Sequence, residues 1–220
     1  MTSSIERMQL TVVVDTVFDE LAITSIRRAT RGRHAALESV AQLVPALNQL
    51  RYILALRAFD LFLSVWEPRI DAALPLPLRH WFVCRSRRDL LRRDLDQLDD
   101  GRVVHEQIRW ACDRAVSEIE LSSAASAFGS IYVLEGSALG GQVIARVART
   151  MLGLDADNGA AYFNGRDRHT AVHWKAFQVL LEEQVGVEPT ARQEACAAAR
   201  HTFDALITTF TALHDDRIAA

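Results

Sequence analysis

The sequence predicts an all-α protein, and three observations lead to that class. Apolar residues recur every three or four positions along most of the chain, the period of helices that bury one face. Alternating apolar and polar runs bounded by turn signals, the mark of strands, are sparse. No internal repeat and no Gly-, Ser- or Pro-rich linker divides the 220 residues. The helices are therefore expected to close around one core as a single-domain bundle over residues 19–220, after a poorly patterned segment, 1–18.

The elements follow in order. A first helix is expected from about Glu20 to Val44, because Ile23, Ile26, Thr30, His34, Leu37, Ala41 and Val44 repeat at three/four spacing before Pro45. "LNQLRYILALRAFDLFLSVWEPRI" reads as a second helix ending near Pro68, since proline removes an intrahelical donor. "ALPLPLRHW" reads as a turn-rich connection. Helices follow around "RSRRDLLRRDLDQL" and "VVHEQIRWACDRAVSEIEL". Ser122 or Ser123 is a suitable N-cap for a long helix running to Met151, with Gly153 as its terminator. "DADNGAAYFNGRDRHT" reads as a loop, "AVHWKAFQVLLEEQ" as a helix, and the segment after Pro189 as a last helix, about seven in all.

Composition narrows the function. Half the residues are apolar, about a quarter are charged and the net charge is -3, which gives no reason to expect a nucleic-acid partner. "RSRRDLLRRDLDQLDD" mixes both signs and reads as a solvated face, or as a surface that docks an acidic electron donor. Cys84, Cys112 and Cys196 form no CxxC pair and no Cys/His cluster, which disfavours structural zinc and suits a reducing cytoplasm. The start lacks the pattern of a signal peptide, and no apolar run approaches the ~18 residues of a membrane span. A cytoplasmic protein is the expectation. His80, His105, His169, His173, His201 and His214 read as solvated or capping residues, and the four tryptophans as core or rim packing.

Two stretches stand out. "YVLEGSALGGQVI" carries Gly136, Gly140 and Gly141 inside helix-forming sequence, with Gly129 one heptad earlier. Each interior glycine weakens a helix by about 1 kcal/mol relative to alanine, so the set needs a reason. Gly129, Gly136 and Gly140 fall on one helix face, and Gly141 beside it permits a bend. Close helix packing through Gly136-xxx-Gly140 is one reason; a large flat ligand lying on bare backbone is the other. The second stretch is "SIRRATRGRHAALESV". His34 falls on the apolar side of its helix, where a hydrogen-bonded core histidine is the ordinary reading. Glu38, one turn on, can instead fix its tautomer and leave the other nitrogen for a metal. Arg27 lies two turns earlier, ~10 Å along the helix, a distance suited to a carboxylate on the rim of a macrocycle centred on His34.

With these residues in view, the chain resembles the haem oxygenases, and among them the bacterial branch associated with bacteriophytochromes. "IRRATRGRHAALE" is similar to the family's proximal-helix signature and "YVLEGSALGGQVI" to its distal one. "GAAYFNG", "HWKAF", Phe203 and Phe210 match its C-terminal region in consistent order. The resemblance implies a haem-oxygenase-like helical fold in which two helices sandwich haem b, at once substrate and cofactor. It implies His34 as the axial ligand of the haem iron, and Gly136, Gly140 and Gly141 over the distal face where oxygen binds. Arg27, Lys175 and Tyr132 would meet the propionates. The implied reaction uses O2 and electrons from an external donor, a reductant protein such as a ferredoxin or flavin reductase, to give biliverdin, CO and ferrous iron. A bacteriophytochrome is an implied recipient.

Two positions depart from parts of the family. Ser137 stands where mammalian-type members carry an aspartate that supports the distal water network, although the phytochrome-associated branch commonly has serine there. Val179 stands where some members carry an arginine near the propionates. Two alternatives therefore stand beside the oxygenase: a haem-binding or trafficking protein without turnover, and a non-haem enzyme of the thiamin-degrading type on the same architecture.

Overall fold

The computed structural model describes residues 20–44, 47–98, 101, 104–165 and 170–218, with side chains to 215; the segment expected to be poorly patterned lies outside them. Nine helices are present among the described residues, and no strand. They are α1 (Ala22–Ala41), α2 (Gln49–Ala73), α3 (Leu76–Val83), α4 (Arg88–Leu98), α5 (Glu106–Ser117), α6 (Ala124–Leu152), α7 (Ala161–Asn164), α8 (Thr170–Val185) and α9 (Pro189–Ile218). The central α9 packs against α6, α1, α5 and α2, and α8 closes over α6.

Local chemistry explains most boundaries. Asn48 caps α2 by accepting the Arg51 N–H at 2.9 Å. Ser123 and Ser126 form a reciprocal capping box at the start of α6, and Gly153, at φ 70°, ends it. Leu21 offers α1 no side-chain cap. That task falls to Glu182 of α8, whose carboxylate accepts the N–H groups of Ala22 at 2.8 Å and Ile23 at 3.0 Å. A negative group at a helix N-terminus also complements the helix dipole.

Three expectations need correction. The second helix does not end near Pro68: α2 continues to Ala73. Pro68 sits on the exposed side, while Ile70 and Leu74 beyond it are buried. Burying those two side chains stabilises by roughly 1.5–3 kcal/mol each, enough to offset the ~3 kcal/mol proline penalty. Arg69, in the same turn, caps the end of α5 by donating to the carbonyls of Val116, Ser117 and Ile119. The turn-rich connection contains α3, with Pro75 at its N-cap and Pro77 in its first turn, where a missing N–H is harmless. The loop after α6 contains the short α7, because the buried Asp94 carboxylate accepts the N–H groups of Ala161 (2.9 Å) and Tyr162 (2.8 Å).

The core is aromatic. Trp81, Phe128 and Phe177 stack nearly parallel, with neighbouring centroids 5.7–6.5 Å apart. Trp66 is buried and donates to Ser130 at 2.8 Å, and Ser130 pairs with Thr202 at 2.6 Å, tying α2, α6 and α9 together. Trp110, by contrast, is 69% exposed and packs in neither core nor rim.

Candidate active site

Between α1 and α6 lies a cavity of about 590 Å³. One wall is the face of α1 carrying His34, Leu37, Glu38 and Ala41; the other is the glycine segment of α6, from Tyr132 to Ile144. Phe59 of α2, Tyr162 and Phe163 of α7, and Phe203, Leu206 and Phe210 of α9 contribute further lining, with Leu43, Val44, Arg87 and Trp174. The surface is thus largely apolar, with a few polar groups at defined points, as in most small-molecule sites.

The glycines divide by function. A Cβ on Gly140 would meet nothing within 4 Å, and one on Gly136 only the Trp174 ring at 3.8 Å, so both present bare backbone to the cavity. Close helix packing does occur on α6, but at Gly129, where a Cβ would stand 2.1 Å from the Ala195 carbonyl oxygen of α9. Gly141 is absent from the lining. It is buried against α7, where a Cβ would lie 3.2 Å from the Phe163 carbonyl oxygen.

His34 stands on the α1 wall, its ring edge-on to Phe203 at 5.8 Å. Its Nδ1 is 3.6 Å from Glu38 Oε1, close enough for attraction but long for a direct hydrogen bond. Nε2 has no partner among the described residues. Opposite, the Ser137 hydroxyl donates to the Leu134 carbonyl at 2.7 Å, so its hydrogen is committed to the helix and its lone pairs remain as acceptors. Tyr132 lines the cavity with its ring 5.9 Å from that of Trp174. Arg27 and Lys175 are exposed, lie outside the lining and make no ion pair among the described residues. Val179 is exposed as well.

Several supporting residues were not singled out from sequence. Arg85 grips Glu135 with two bonds of 2.7 and 2.6 Å, anchoring α6 one residue before Gly136, and packs over Trp81. Arg87 lines the cavity with its guanidinium 4.8 Å above the Tyr162 ring. The "RSRRDLLRRDLDQLDD" stretch is therefore not a uniformly solvated face: Arg85, Arg87 and Asp94 turn inward. Burial raises the Asp94 carboxyl above its ordinary range, against the lowering effect of its two backbone bonds. Burial likewise raises Glu67 and the phenol of Tyr162. No cluster of three metal-ligating side chains occurs among the described residues.

A largely apolar cavity with an imidazole on one wall and bare backbone on the other suits the ligand that the resemblance implies. The model of the Heme oxygenase family matches residues 20–212. The chain belongs to the haem oxygenase family. It is 33% identical to a heme oxygenase of Xanthomonas campestris over 153 residues, covering 69% of this chain and 84% of that protein. Heme oxygenase PigA of Pseudomonas aeruginosa is 30% identical over 190 residues, covering 82% of this chain and 90% of that protein. The crystal structure of heme oxygenase 2 from Chlamydomonas reinhardtii superposes with a TM-score of 0.72 at 19% identity, over 87% of this chain and 96% of that one. That last likeness bears on the fold, and it agrees with the all-helical architecture.

Proposed function

We propose that this protein is a haem-degrading oxygenase that converts haem to biliverdin, CO and ferrous iron. The observation that carries the reading is the pairing of His34 with the bare backbone of Gly136 and Gly140 across one apolar cavity, in a chain of this family. When bound, haem supplies both an iron centre that activates O2 and the macrocycle that is cleaved.

The protein's part is positioning and exclusion. His34 would hold the iron through Nε2, while Glu38, directly or through water, would keep Nδ1 as the donor nitrogen and orient the ring. Gly136 and Gly140 would leave room for oxygen at the α6 wall, and Leu139, Val143 and Ile144 keep that side of the cavity apolar. The Ser137 lone pairs offer a hydrogen-bond acceptor for ordered water there. Arg27, Lys175 and Tyr132 are assigned to the propionates; two of them are exposed cations without competing carboxylates. Electrons come from a separate reductant protein, a ferredoxin or flavin reductase, and a bacteriophytochrome is the proposed recipient of biliverdin. The location assigned is cytoplasmic; no described helix is long and apolar enough to cross a membrane.

Haem, a reductant and oxygen added to purified protein test this reading. Replacement of the haem Soret band by biliverdin absorption supports it; persistence of haem points to the second reading, a haem-binding protein without turnover. That alternative draws on Ser137, whose hydroxyl hydrogen is turned away into the helix. His34→Ala should abolish the ligand-dependent ferric spectrum, and an unchanged spectrum would remove His34 from the site.

A further inference from the structure

Beside the main cavity, and sharing Tyr162 and Arg87 with it, is a second cavity of about 40 Å³ between α2, α3 and α6. It exceeds the ~10–15 Å³ that one water needs. Its polar lining comprises Glu67, Arg85, Ser86, Arg87, Glu135 and Tyr162. Tyr162 is only 2% exposed, yet its hydroxyl oxygen is buried without a hydrogen-bond partner among the described residues. A buried phenol left unpaired is unfavourable, and buried polar groups nearly always find protein or water.

The other groups sort themselves by chemistry. Arg85 and Glu135 are committed to each other in a bidentate pair. Arg87 is a guanidinium, which does not release protons in a protein. That leaves Glu67, Ser86 and Tyr162 as groups able to pass one. Ser86 donates to Glu67 Oε1 at 2.8 Å, while Glu67 Oε2 makes a long ion pair with Arg88 Nε at 4.0 Å. The Glu67 side chain is 17% exposed, so it touches both solvent and the second cavity.

We propose that water in this second cavity bridges Glu67 to Tyr162 and makes them the proton route into the oxygen side of the haem cavity. The idea rests on the proposed haem-degrading function, in which reduction of oxygen consumes protons. A proton leaves the Glu67 carboxyl for the bridging water, the water passes one to the Tyr162 oxygen, and Tyr162 releases its own hydroxyl proton into the main cavity. Solvent reprotonates Glu67, so no residue changes net charge over the cycle. Burial raises the Glu67 carboxyl above its ordinary range, against the lowering effects of the Ser86 hydrogen bond and Arg88, which makes it the better acid. The route places no demand on Ser137, whose hydroxyl hydrogen is already engaged.

Tyr162→Phe and Glu67→Gln, each in the full chain, test the route; the first keeps the ring packed against Phe59 and Phe163. A high-resolution crystal structure of the haem-free protein should show water within hydrogen-bond reach of the Tyr162 oxygen, and a dry contact overturns the proposal. The melting temperature of haem-free Tyr162→Phe should stay level or fall, because hydrated bonds are lost; a rise marks a dry, unpaired hydroxyl and counts against it. In single-turnover haem consumption each variant should be slower by about 10²-fold, the lower end for a lost acid–base group. Haem affinity and Soret position should match the unaltered protein, and the double variant should be no slower than the slower single. Unaltered rates, or haem affinity falling in parallel with rate, overturn the route. If the unaltered protein binds haem without consuming it, the parent reading fails and the route falls with it. If it consumes haem and both variants keep pace, the route alone falls.

Discussion

A methyl group placed on Gly129 would stand 2.1 Å from a backbone oxygen, whereas one on Gly140 would meet nothing within 4 Å. These two glycines of one helix face should therefore respond oppositely to substitution. Gly129→Ala forces α6 away from α9 and should destabilise by at least 1–3 kcal/mol, roughly the overpacking range, measured by urea unfolding of the haem-free protein. Gly140→Ala should leave stability unchanged or raise it by up to ~1 kcal/mol through helix propensity, while slowing haem consumption because the methyl enters the cavity. Spacing alone put Gly129, Gly136 and Gly140 on one face but could not say what lay opposite each. That depends on where α9 meets α6 and where the cavity separates α6 from α1. The place of His34 on the cavity wall was legible for a different reason: its face, its neighbour Glu38 and the surrounding motif are all local. Gly141 was not, since its partner Phe163 belongs to a turn 22 positions away that has no strong helical pattern of its own.

At the scale of elements, α1 carries the His34 wall yet borrows its N-terminal cap from α8. Glu182→Ala should cost about 0.5–2 kcal/mol, the usual value of a lost cap. Amide exchange should quicken first at Ala22 and Ile23, the two N–H groups released. No sequence signal marks Glu182 for this role, because 160 positions separate it from Ala22. Asp94 does carry a local signal. It follows Leu91 by three positions and shares that residue's buried face, and an acidic residue on an apolar stripe needs a partner. The mixed charges around it hid the signal. Asp94→Ala should loosen α7, which presents Tyr162 and Phe163 to the cavity, and weaken haem affinity together with stability. Pro68 misled in the opposite direction: propensity favours a stop, and burial of Ile70 and Leu74 outweighs it.

Across the whole molecule, the three cysteines form no disulfide with one another and are unequally placed, with Cys84 exposed, Cys196 intermediate and Cys112 buried. Burial pushes Cys112 up to about 11. An alkylating reagent at pH 8 should therefore label Cys84 readily and Cys112 only on unfolding, as mass spectrometry of digests would show. The sign for stability follows. The folded value lies above the unfolded one, near 8.5, so the contribution of Cys112 is fully present below that pH and is lost as pH rises through about 11.

The cavity leaves apolar side chains of both walls facing water, with Val44 49%, Leu139 39% and Val143 47% exposed. A ligand that covers them binds the folded chain and not the unfolded one, so by mass action it stabilises the fold, by about 2.7 kcal/mol at a free concentration one hundred times its Kd. The melting temperature should thus climb with haem concentration and shift little with a porphyrin fragment too small to span α1 and α6. Under the proposed function the consequence is a cycle: opening the macrocycle destroys the very ligand whose binding tightened the fold. Each turnover then returns the two walls to their looser state, and product departure is built into the thermodynamics of the protein.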